Sequence, residues 1–164
     1  MSIFKGKYTS KPEESFVLFI FGMKINNPFF FWLWLPFNFI FLKMVRRLRK
    51  YKDAGMLNAH LFWFWGGVGV IQYWKSFDHL EKFARDKADM HMPNEKRYKK
   101  YIGKSGILGV WHETYLVDQD KFETMYFNMP MWGLSKASKH HLEVPSVHDE
   151  ARNRINMYSN NKEV

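Results

Sequence analysis

The chain has 164 residues, of which 46% are hydrophobic and 19% aromatic, so it is one domain with room for a sizeable core and too rich in rings to be disordered throughout. It contains no cysteine, which excludes disulfides, thiolate metal sites and a thiol nucleophile and leaves metal chemistry to histidine and carboxylate. The net charge of +9 comes largely from Arg46, Arg47, Arg49, Lys50 and Lys52 and from Lys96, Arg97, Lys99 and Lys100. Both runs are interleaved with apolar residues at helical spacing, as solvated helix faces are, and no nucleic-acid partner is expected.

Residues 1–15 are polar and cationic and read as an N-terminal arm. Phe16–Ile25 is a strand, apolar nearly throughout and therefore expected to be covered on both sides. After an Asn26-Asn27-Pro28 turn, Phe29–Leu35 reads as an aromatic loop. A helix is expected from about Pro36 to Tyr51, with Phe37, Ile40, Phe41, Met44, Val45 and Leu48 on one face, ended by Asp53-Ala54-Gly55. The apolar run from Pro28 to Leu42 is shorter than the roughly 20 residues of a spanning helix and contains Pro36 and Asn38. With no recognisable secretory signal either, a cytoplasmic protein is expected, with Phe29–Leu35 a candidate for weak contact with a membrane surface.

Leu57–Trp65 and Val68–Trp74 are β-like runs around Gly66-Gly67, the signature of a tight hairpin. Ser76 caps a helix with Asp78 in its first turn and Phe77, Leu80, Phe83 and Ala84 on its inner face. Met90-His91-Met92-Pro93 is a helix corner, and Pro93 opens a further helix with Tyr98, Tyr101 and Ile102, ended by Gly103. Ile107–Val117 is expected to be a buried strand, with Leu108, Val110, His112, Thr114 and Leu116 on one face and Ile107, Trp111, Glu113 and Tyr115 on the other. Phe122–Asn128 gives another short strand and Met129–Leu134 an ordered loop. Residues 135–164 form a polar tail, with a short helix around His148–Tyr158.

The core region, residues 16–134, thus runs strand, helix, hairpin, helix, strand. That order predicts an α+β fold of ferredoxin-like type, an antiparallel sheet with its helices on one face. A second subunit is the simplest cover for the aromatic outer face, so a homodimer is expected.

The candidate chemistry centres on His91 and His112. In such a fold a histidine at the helix corner and one on the helix-facing side of the last core strand can look into the same cavity. The pair could hold a metal or haem iron through one imidazole and move protons through the other. Equally, His91 could cap a helix and His112 be a satisfied core histidine. Glu113 points to the opposite face by alternation. His60 reads as a surface or interface residue, His79 as solvated, and His140, His141 and His148 as incidental tail residues. No nucleophile elbow, P-loop or dinucleotide fingerprint is present.

Several blocks carry a resemblance: Gly69–Leu80, Phe83–Asp86, His91-Met92-Pro93, Gly109–Tyr115 with its Trp-His-Glu-Thr-Tyr, Tyr126–Pro130 and Gly133-Leu134. Together, from about Lys5 to Leu134, they resemble the small monooxygenase-like proteins of bacteria and fungi named after a fungal biosynthetic-cluster monooxygenase. The resemblance implies a dimeric α+β barrel and a monooxygenase-like oxidoreductase acting on a small apolar molecule. His91 and His112-Glu113 are also similar, more distantly, to the helix histidine and distal His-Glu pair of haem-containing aldoxime dehydratases. That similarity implies haem ligated through His91, with His112 and Glu113 in catalysis and Val110, Trp111 and Thr114 beside the cofactor. Phe62, Phe64, Tyr73 and Trp74 are the residues expected to shape the substrate pocket or the dimer interface. Two other readings stand beside this one: a nitrile-forming dehydratase, and a non-catalytic binder of haem or another hydrophobic ligand.

Overall fold

The computed structural model describes residues 2–48, 55–85, 99, 103–139, 141–145 and 150–159. Its chain divides into two compact units, one formed by Leu18–Tyr115 and the other by Met1–Val17 with Leu116–Val164.

The larger unit is built on β2 (Phe16–Ile25), α1 (Phe31–Leu48), β3 (Met56–Phe64), β4 (Gly67–Trp74), α2 (Phe77–Arg85) and β5 (Leu108–Val117). Its four strands stand in the order β3-β4-β2-β5, so the first strand of the unit lies inside and the last returns to its free side. That is the strand order of the split β-α-β arrangement, and the predicted ferredoxin-like α+β fold is the one observed. The hairpin pairs β3 with β4 antiparallel from Phe64↔Gly67 to Met56↔Trp74, with an irregularity between Met56 and Asn58. The end of β2 meets the beginnings of β4 and β5: Ile25 N donates to Gly66 O at 2.7 Å and Asn26 N to Ile107 O at 2.9 Å.

Alternation along β4 sorts the two faces. Val68, Val70, Gln72 and Trp74 are buried on one side, and there Trp74 meets the α2 ring of Phe83 with centroids 5.3 Å apart. Trp74 is completely buried, and its indole N–H donates to Gln72 Oε1 at 3.0 Å, which removes the penalty of an unpaired buried donor. Ser76 caps α2 as predicted, accepting from His79 N and lying 2.7 Å from His79 Nδ1. Leu80 is buried while Phe77, expected on the inner face, is exposed. As the first helical residue, Phe77 precedes the turn that faces the sheet.

Three expectations are corrected. Helix α1 begins at Phe31, so Phe29–Leu35 is not a loop: Pro28–Phe30 is a 3-10 turn capped by the Asn27 side chain, and Pro36 lies inside the helix. The preformed turn supplies the helix start that Pro36 was expected to supply. The strand expected over Phe122–Asn128 shrinks to β6 (Tyr126–Phe127), the two residues that pair with Tyr8 and Lys7 of β1, while Thr124 meets Thr9 and Ser10 through its hydroxyl. Most of all, β5 is not a buried strand. It lies at the sheet edge in this chain, and His112, Glu113, Thr114, Tyr115 and Leu116 are all exposed. Alternation reveals which residues share a face but not whether anything covers it. The corner Met90–Pro93 and the helix expected after it fall outside the described residues, apart from Lys99 and the Gly103 turn.

The smaller unit has its own three-stranded sheet, β6-β1-β7, in which β1 (Lys7–Thr9) pairs antiparallel with β6 and with β7 (Leu142–Glu143). Thus the N-terminal arm carries a central strand. Helix α3 (Gly133–Ser138) follows the Met129–Trp132 loop, and α4 (Ala151–Ser159) is the helix expected around His148–Tyr158. Buried Arg154 ties α4 down, donating through Nε to Glu123 Oε2 at 2.8 Å. Thr9 and Ser10 are fully buried and meet Thr124 and Ser138 through their hydroxyls.

His141 is not incidental here. Its ring stacks on Tyr8 at 4.4 Å and 13°, lies 4.4 Å from Phe4, and its Nδ1 is 2.8 Å from Ser135 Oγ. Among the described residues its buried Nε2 has no hydrogen-bond partner, and desolvation pushes the imidazole below its ordinary value of 6.5. The folded chain holds His141 neutral while the unfolded chain protonates it near pH 6.5, so its contribution to stability is intact above that pH and is lost progressively as pH falls below it. Denaturant unfolding between about pH 7 and about pH 5 should therefore show stability dropping toward acid, with a smaller drop in His141→Gln.

Candidate functional site

The register of β5 against β2 places every candidate on that strand. A Cβ built on Gly22 would lie 2.7 Å from Trp111 Nε1 and 2.8 Å from its Cε2, so the indole occupies the space that any other residue would need. Trp111 also meets the edge of Phe64, with centroids 6.1 Å apart and planes at 71°. Phe62 lies next along the same side, its ring over Gly69, where a Cβ would come within 2.5 Å of it. Pairing of Asn58 with Tyr73 and of Phe62 with Gly69 puts Tyr73 on that side too. Trp111, Phe64 and Phe62 therefore form an aromatic row on the face turned away from α2, and Tyr73 shares that face farther along the hairpin. Trp74 is on the opposite face, against Phe83, and does not join them.

One residue further along β5, alternation turns His112 to the α2 side of the sheet. Its ring lies 5.7 Å from that of Phe19 on β2. Val110 and Thr114 share its side, both exposed. Phe19 is the neighbour that sequence reasoning passed over. Parity along β2 separates Phe19 from Gly22, but only the register that seats Trp111 on Gly22 puts Phe19 beside His112.

Glu113 goes to the far face, where its carboxylate accepts a hydrogen bond from the Tyr115 hydroxyl. The Glu113 hydrogen bond, and then its charge, raise Tyr115 above the ordinary tyrosine range. His112 and Glu113 are adjacent in sequence but separated by the sheet, so they do not address a common group. Likewise Trp111 is separated from Val110 and Thr114. His60, on the aromatic side of β3, has Nε2 2.6 Å from Asn58 Nδ2. His91 lies outside the described residues, and so does any meeting of it with His112. Among the described residues no group of three or more His, Asp or Glu side chains is arranged to hold a metal ion.

A split β-α-β sheet with this aromatic row and a histidine on its helix side defines a ferredoxin-like α+β domain. The chain belongs to the Monooxygenase af470-like family, whose model matches residues 16–134, beginning at β2 rather than near Lys5. No curated protein matches it. Among solved structures it is similar to a dimeric ferredoxin-like protein from an uncultured marine organism, at 16% identity and a TM-score of 0.34, over 64% of this chain and 96% of that one. The fold assignment rests on the strand order itself.

The Trp111–Gly22 contact is testable as a pair. Gly22→Ala should destabilise by about 1–3 kcal/mol through overpacking. In a Trp111→Leu background the same change should cost measurably less, giving a coupling of at least about 0.5 kcal/mol in a double-mutant cycle followed by urea unfolding.

Proposed function

We propose that this protein is a monooxygenase-like enzyme that takes a small apolar molecule on the α2 side of β5, with His112 as the group that moves the proton. Membership of the Monooxygenase af470-like family supports the reaction class. The observation that carries the site is an exposed imidazole set beside Phe19 and Val110, a protonatable group in an apolar setting. Phe19 and Val110 would bind the substrate by excluding water from it. Thr114, next along the same side, offers a hydroxyl that can orient a polar substituent.

An apolar wall with one imidazole is also a setting that haem fits. His91 would be its ligand, on the resemblance to haem proteins, and haem would supply oxygen activation when bound. His112 would then stand ready to donate or accept a proton at its ring nitrogen. The sheet side that carries Trp111, Phe64 and Phe62, on which Glu113 and Tyr115 are exposed, would face a second copy of the chain.

The test is oxygen incorporation. Protein with and without added haem and a chemical reductant is incubated under 18O2 with alkyl-aromatic, phenolic and alicyclic compounds, and products are read by mass spectrometry. Label should enter a product, and His112→Ala should slow its formation by about 100-fold or more while leaving substrate affinity within a few-fold. Absence of labelled product across the set, or full activity in His112→Ala, would overturn the reading. Formation of nitrile from an aldoxime without oxygen would replace it with a lyase.

A further inference from the structure

Helix α1 exposes a face that the proposed chemistry does not use. Phe31, Trp32, Leu35 and Phe39 are 56%, 57%, 40% and 64% exposed, and Phe29 in the turn before them is 82% exposed. Their spacing places them on one side of the helix, since residues three and four apart lie over one another. The opposite side turns inward: Phe37 is buried, Leu33 and Trp34 are half-buried, and α1 packs on β3. Trp32 meets Phe31 and Phe30 edge-on at 5.3 and 5.5 Å, so the rings form one exposed cluster.

The same side continues into cations. Phe31, Leu35, Phe39 and Lys43 are successive i,i+4 positions, and Arg46 follows at i+3; Lys43 and Arg46 are both exposed. The apolar stripe and the two cations therefore look the same way, over about 18 Å from Phe31 to Lys43. No acidic residue occurs anywhere in α1.

We propose that this face of α1 docks the protein on an anionic lipid surface, with the helix lying in the plane of the interface. Phe31, Trp32, Leu35 and Phe39 enter the boundary between headgroups and acyl chains, and Lys43 and Arg46 meet lipid phosphates. Tryptophan and phenylalanine suit that depth, and cations on the same side suit its charge. Among the described residues no helix is long and apolar enough to cross a membrane, so α1 lies on the surface rather than through it. A second copy is the weaker occupant. The chain carries 25 Lys and Arg against 16 Asp and Glu, and such a surface is a poor complement to Lys43 and Arg46.

The full chain is sedimented with vesicles of phosphatidylcholine alone and of phosphatidylcholine mixed with phosphatidylglycerol. Binding to the anionic vesicles should exceed binding to the neutral ones by roughly tenfold or more and weaken with salt. Lys43→Glu with Arg46→Glu should remove that preference, and Phe31→Ser, Trp32→Ser and Phe39→Ser together should abolish binding with circular dichroism unchanged. In the unaltered protein, lipids brominated on their acyl chains should quench tryptophan emission, and less so in Trp32→Phe. The proposal is overturned by failure to bind anionic vesicles, by binding that survives the triple substitution, or by quenching unchanged in Trp32→Phe. It is also overturned if the triple substitution lowers the mass of the protein at sedimentation equilibrium, which would make this face a contact between copies.

Discussion

The seat of Trp111 on Gly22 governs the larger unit. With the indole where a Cβ would be, β5 has one register against β2, and the period of two then decides every side chain along it. Shift β5 by a single residue and the indole meets a neighbour with a side chain, while His112 moves to the aromatic side. The glycine is thus a positional requirement of the histidine, although the two do not touch. Gly69 plays the equivalent part in the hairpin, where it leaves room for the ring of Phe62.

From that register come two faces of different character. On one, Trp74, Gln72, Val70 and Val68 are closed off, with the buried Trp74 indole donor satisfied within the face. Farther out on the same side, at β5, His112 stands open beside Phe19. On the other face the aromatic row ends in the Tyr115–Glu113 pair, where a carboxylate holds a phenolic proton more tightly than water would. The helix side of β5 thus presents an imidazole, while the carboxylate next to it in sequence is hydrogen-bonded on the other face.

How much of this was legible beforehand follows from what each signal reports. A continuous apolar run placed β2 at Phe16–Ile25, and the paired glycines Gly66-Gly67 announced the hairpin, whose turn falls one residue earlier at Trp65-Gly66, because both are local signals along the chain. Element order then sufficed for the ferredoxin-like topology. Exposure of β5 was illegible, since alternation sorts its residues into faces without reporting whether either face is covered. The start of α1 was misjudged because Pro36 reads as a first-turn residue, whereas Asn27 and Pro28 had already begun a helical turn. His141 looked incidental in a polar stretch; only the return of residues 141–145 to β1 brings it against Tyr8 and Phe4. The side assigned to His112 was readable from parity, but its ring neighbour Phe19 needed the register.

The central claim is that the α2 side of β5, and not the aromatic side, receives the ligand. Ferric haem serves as a probe because its paramagnetism broadens nearby proton resonances. In nuclear magnetic resonance spectra of the protein titrated with ferric haem, the account predicts broadening of His112, Phe19 and Val110, with His60, Phe62 and Phe64 left sharp. Broadening confined to Phe62, Phe64 and Trp111, or no selective broadening at all, would contradict it.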